Sequence, residues 1–108
     1  MINRRLNIGL QTSVFIVGIA LGMATVAAEQ TPAKLPLCIA CHGADGIGRA
    51  PSWPNLAGQK KTYLANQLRG FRDGVIPSVT MQPLVVELSD ADIDELAEYY
   101  SNLACARP

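Results

Sequence analysis

The run Cys38-Ile39-Ala40-Cys41-His42 constrains this chain more than any other feature. On a helical turn, residues three and four apart share a face, with Cβ atoms roughly 5–6 Å from one another. Cys38 and Cys41 therefore lie side by side, and His42, four residues beyond Cys38, projects from the same side. Two thiols so placed reach two vinyl groups along one edge of a porphyrin, while the imidazole is presented to the iron. The pattern points to one haem held by thioether bonds at Cys38 and Cys41, with His42 as an axial ligand.

Other uses of such a motif fit less well. A redox dithiol of the thioredoxin kind opens a helix after a strand, and no strand pattern precedes Cys38. A structural zinc site needs four ligands. Beyond the leader the thiols and imidazoles are Cys38, Cys41, His42 and Cys105, and the adjacent Cys41 and His42 are awkward partners on one tetrahedral ion. Three cysteines cannot form a fully paired intramolecular set. Cys105 is left over, as a free thiol or as the link to a second copy.

The N-terminus reads as an export signal. Arg4 and Arg5 precede an uncharged run from Ile8 to Ala28, and Val26-Ala27-Ala28 is a small-residue cleavage site. Residues 1–28 are expected to be removed and 29–108 to form one domain, placing the protein in the periplasm. The alternative is an uncleaved anchor, since the uncharged run is long enough to span a bilayer. A twin-arginine route suits the motif poorly, because it exports folded cargo.

The remaining chain is too short for a large core and calls for a staple, metal or cofactor. It carries seven Lys/Arg against nine Asp/Glu, with the bases gathered between Arg49 and Arg72 and the acids between Glu87 and Glu98. That balance excludes the basic stripe of a nucleic-acid binder.

Periodicity predicts an all-α domain with long loops. Thr31 and Pro32 are a candidate helix start, and Pro36 moves the regular turn to about Leu37–His42. Glycines and prolines from Gly43 to Gly58 make a loop. Leu64, Leu68 and Phe71, with Tyr63 alongside, predict a helix over 60–73 that stops at Gly74. Gly70 inside it costs about 1 kcal/mol relative to alanine, so a neighbour is expected to pack closely there. Residues 75–88, with Pro77 and Pro83, read as an extended loop. Ser89 and Asp92 form a box-like cap for the last helix, whose apolar stripe is Ile93, Leu96, Tyr99 or Tyr100, and Leu103.

Past the leader there is one methionine, Met81, and one histidine, His42. Methionine is usually a gap-filler in cores. An iron that needs a sixth ligand makes Met81 the leading candidate, with Lys60, Lys61, Cys105 and water as competitors.

Taken together, the chain resembles the class I c-type cytochromes, specifically the short bacterial kind similar to single domains of periplasmic dihaem cytochromes. The resemblance runs from Leu37 to Leu103 and is carried by Cys38 to Gly43, Pro54-Asn55-Leu56-Ala57-Gly58-Gln59, Tyr63-Leu64, Gln67-Leu68, Met81 with Pro83, Leu88 to Ile93, and Tyr99. It implies a small cytochrome c fold of three to four helices around the haem. It also implies that the Pro54 carbonyl accepts a hydrogen bond from His42, that Leu56 packs on the haem, and that Tyr99 sits where the first and last helices cross. Pro36 departs from the pattern, because the family's first helix normally runs through that position.

The function to be expected is one-electron transfer by a His/Met-ligated haem, between redox proteins that bind weakly and transiently. Lys60, Lys61, Arg69 and Arg72 are candidates for steering an acidic partner, and Arg49, Trp53 and Tyr63 for contacting the haem propionates. A haem subunit tethered to a membrane oxidoreductase is the main alternative. An open-site haem sensor or catalyst is disfavoured, because no second histidine is present to serve as a distal acid–base group.

Overall fold

Prolines and glycines set where the helices of this chain start and stop. The computed structural model describes residues 30–105, and the expected leader over 1–28 lies outside them. The first helix, α1, is Pro36–His42. Proline suits its first position, where the missing N–H has no intrahelical partner. A helix running back through Pro36 would drive its ring into the carbonyl four residues earlier. Thr31 and Pro32, a candidate helix start, therefore open only a turn, closed by Leu35 N–H on the Pro32 carbonyl at 3.0 Å, and the regular helix begins at Pro36, beside the expected Leu37.

Helix α2, Lys61–Arg72, is flanked by Lys60 and Asp73 as its caps, as the periodicity predicts. The neighbour expected at Gly70 is Ile76, whose Cδ1 would stand 2.5 Å from a Cβ added at that position. The Ile76 N–H also binds the Gly70 carbonyl at 2.9 Å, folding the chain back over the end of α2.

The expected loop over 75–88 contains a helix instead: α3, Met81–Val85. Pro83 is its third residue, still in the first turn, where no intrahelical N–H bond is lost. Ser78 supplies the start, its Oγ accepting from Met81 N–H at 3.0 Å. Helix α4, Asp90–Asn102, carries the expected cap in full: Ser89 Oγ accepts from Asp92 N–H while the Asp92 carboxylate accepts from Ser89 N–H.

Helix α2 packs against both α4 and α3. Ile93 and Leu96 of α4 are fully buried, and Leu64, Ala65, Val85, Leu88 and Leu35 close around them. Of the two candidate tyrosines it is Tyr100 that faces the core. The described residues contain no strand.

The polar faces of α2 and α4 are stitched by ion pairs. Lys61 pairs with Glu98, Arg69 with Asp94 at 2.8 Å, and Arg72 with Asp90 at 2.8 Å. Three of the four candidates for steering an acidic partner are thus engaged within the fold. Capping accounts for Asp92, but Asp90, Asp94 and Glu98 answer the bases of α2. Hydrogen bonds from Arg72 hold the Asp73 and Asp90 carboxyls below their ordinary value of 3.8, and Lys61 holds Glu98 below 4.5. Groups depressed in the folded state contribute stability above their unfolded pKa and lose it as the pH falls through the folded value. The urea midpoint of the protein is therefore expected to hold from neutrality down to the ordinary carboxylate range and to drop below it, less steeply in Asp90→Asn.

Candidate haem site

The site begins at the end of α1, with His42, the buried polar side chain of the described core. Its Nδ1 lies 2.9 Å from the Pro54 carbonyl. A carbonyl only accepts, so the proton is on Nδ1 and Nε2 is left with a free lone pair. This is the bond the resemblance implied. It fixes both the tautomer and the ring orientation, and it raises the basicity of the nitrogen that can bind a metal.

Pro54 is held in place by the loop that carries it. Arg49 N–H binds the Cys41 carbonyl at 2.8 Å, and Gly48 N–H binds Asn55 Oδ1 at 2.8 Å. Leu56 and Ala57 both donate to the Gly46 carbonyl, at 2.8 and 3.1 Å. Gly46 has a φ of 72°, and a Cβ there would lie 2.7 Å from the Ala57 nitrogen, so only glycine fits.

Both ends of the loop are pinned to α4. Tyr99 Oη donates to the Ala44 carbonyl at 2.7 Å and Tyr100 Oη to that of Gly43 at 3.1 Å. At the far end Gly58 N–H binds the Tyr100 carbonyl at 3.0 Å. Two tyrosine hydroxyls of α4 thus bind the chain just beyond α1.

Between these elements lies a cavity of about 520 Å³, within the size range of small-molecule sites. Cys38, Cys41 and His42 form one wall, with Leu56 from the loop. Helix α2 contributes Leu64, Leu68 and Phe71, the stripe its periodicity marked out. Met81 reaches the same space from α3, with Leu84 and Val85 beside it. The sequence reading does not mark these last two as site residues, because Pro83 hides the short helix that carries them.

The lining contains no Asp, Glu, Lys or Arg. Trp53 and Tyr63 line the cavity, but Arg49 does not; it faces a separate open cleft and pairs with Asp45 at 3.5 Å. Of the competing sixth ligands, Lys60, Lys61 and Cys105 all lie outside the lining. Cys105 is an exposed thiol beside Gly58.

Cys38 and Cys41 are unpaired and half-buried. Burial pushes the Cys38 thiol up to about 11. A redox dithiol needs the opposite shift, toward thiolate. An apolar cavity with two unpaired thiols and a tautomer-fixed imidazole on one wall, and a thioether on its lining, fits a haem bound covalently.

Such a site in an all-α domain defines a c-type haem protein. The chain belongs to the cytochrome c family, whose model matches residues 33–104. It is 46% identical over 72 residues to cytochrome c-554(548) of Halomonas halodenitrificans, covering 64% of this chain and 87% of that one. To cytochrome c4 of Pseudomonas aeruginosa it is 38% identical over 98 residues, covering 91% of this chain and 48% of the relative. A thiosulfate dehydrogenase electron acceptor of Thiomonas intermedia is 47% identical over 73 residues, covering 67% of this chain and 34% of the relative. The chain thus spans most of the first relative and half or less of the other two. It is an electron carrier, not an enzyme, and carries haem c through Cys38 and Cys41.

Proposed function

We propose that this cytochrome holds its haem iron between His42 and Met81 and shuttles single electrons between redox proteins in the periplasm. The observation that carries the ligation is the donor inventory of the cavity. Apart from the two attachment cysteines, the lining side chains of types that ligate haem are His42, Met81, Tyr63 and Tyr100; the Tyr100 hydroxyl is engaged by the Gly43 carbonyl and Tyr63 is exposed at the rim, which leaves His42 and Met81 as the pair. When bound, the haem supplies a metal that cycles between ferrous and ferric by one electron.

The chain's own residues set the conditions for that cycle. His42, locked by Pro54, stays in one tautomer in both states. The thioether of Met81 favours the ferrous form and so raises the potential relative to two nitrogen ligands. Leu56, Leu64, Leu68 and Phe71 keep water from the metal. Loss of the sulfur-to-iron charge-transfer band in Met81→Ala, with a lower potential, is the expected result. Ready binding of carbon monoxide or cyanide by the wild type would contradict it.

The partner surface is the rim of this cavity. Leu37, Trp53, Tyr63 and Leu84 are exposed there, and the lining contains no carboxylate, lysine or arginine. Lys61, Arg69 and Arg72 of α2, candidates for attracting an acidic partner, are paired with α4. A dehydrogenase of the kind named for the Thiomonas relative is one class of donor that such a rim can meet. Encounter is weak, through a small interface with little long-range steering. The second-order rate with a physiological partner is expected to change little with ionic strength; a steep fall with salt would return the role to the basic residues.

Residues 1–28 supply the export signal in this reading. Among the described residues no helix is long and apolar enough to cross a membrane. The N-terminal residue of the protein recovered from cells tests the leader. Glu29 is expected, whereas Met1 or Ile2 would favour a tethered subunit.

A further inference from the structure

The segment that presents Met81 runs from the end of α2 to the start of α4, and one side chain ties both of its ends. Arg72 is the last residue of α2. Its Nε donates to Asp73 Oδ1 at 2.8 Å and its Nη2 to Asp73 Oδ2 at 3.4 Å, at the head of the segment. Its Nη1 donates to the Leu88 carbonyl at 3.2 Å and to Asp90 Oδ1 at 2.8 Å, at the tail. The guanidinium fork can satisfy several acceptors at once, which a lysine ammonium does less well.

The clasp is also sheltered. The Arg72 side chain is 19% exposed, against 34% for Arg69 one turn earlier. Arg69 binds Asp90 and Asp94 but reaches neither Asp73 nor Leu88. The two arginines both join α2 to α4, and only Arg72 closes the neck of the Met81 segment. Within that neck α3 rests on α2, with Val85 and Leu88 buried in the core.

We propose that Arg72 is a positioning residue for Met81: by holding Asp73, Leu88 and Asp90 together it sets how readily the thioether leaves the haem iron. The proposal rests on the reading of Met81 as the axial ligand. A segment pinned at both ends opens rarely, and an external ligand must wait for the opened form. Its apparent affinity is therefore reduced by the small fraction of molecules in which the iron is free. Loosening the neck raises that fraction without altering the iron's own preference for the external ligand.

The test is a titration of the ferric holoprotein with imidazole at neutral pH, following the sulfur-to-iron charge-transfer band. It compares wild type with Arg72→Met, Arg72→Lys and Arg69→Met, alongside far-UV circular dichroism on each. In Arg72→Met imidazole is expected to bind about tenfold or more tightly, as the competent fraction grows. Arg72→Lys should fall between it and wild type, and Arg69→Met should stay near wild type. Unchanged affinity in Arg72→Met would overturn the proposal, as would an equal gain in Arg69→Met, which would mark general loosening of α2 on α4. If Arg72→Met does not fold, Arg72→Lys decides by the same criterion. Absence of the band in the wild type would instead remove Met81 as ligand, a failure distinguishable from that of the clasp.

Discussion

The hydrogen bond from His42 Nδ1 to the Pro54 carbonyl, at 2.9 Å, is the constraint on which the rest of this structure turns. It buries an imidazole in a small core without leaving its proton unpaired, which an apolar environment would penalise. It decides which nitrogen is free. It also fixes how far the loop after α1 can stand from the helix, because the Pro54 carbonyl must arrive over the ring. Much of the loop's internal bonding, from Gly46 to Asn55, serves that placement. Tyr99 and Tyr100 then fasten the loop to α4.

A domain this small has few elements to share between stability and function, and α2 does both on opposite faces. Its apolar residues wall the cavity, while Lys61, Arg69 and Arg72 bind the acids of α4. Exposed pairs of this kind contribute little singly, but Arg69 and Arg72 converging on Asp90, with Asp94 and Glu98 beside it, form a network between the two helices. The cavity between α2, α3 and the motif fits the covalent haem in its lining. The cofactor accordingly completes a core that the polypeptide alone leaves open.

Much of this was legible in the sequence, wherever a local rule was strong. The Cys38–His42 spacing, the stop at Gly74, the Ser89–Asp92 cap and the close approach at Gly70 each follow from chemistry confined to a few neighbouring residues. The Pro54 role came from resemblance to the family, since nothing in residues 43–59 by themselves says whose proton that carbonyl accepts. Helix α3 was missed because Pro83 reads as a breaker, although in a first turn it breaks nothing. The fate of the α2 bases could not be read at all. Whether a helical arginine meets solvent or a carboxylate some twenty positions away is settled by the packing of α2 on α4, a non-local contact.

In the proposed site one covalently held iron sits between an imidazole fixed by Pro54 and the thioether of Met81. X-ray absorption at the iron edge, on the purified holoprotein in both oxidation states, addresses it most directly. A single sulfur scatterer bonded to iron alongside the porphyrin and imidazole nitrogens, unchanged in number on reduction, is the expected result. A first shell made only of nitrogen and oxygen in either state would contradict it.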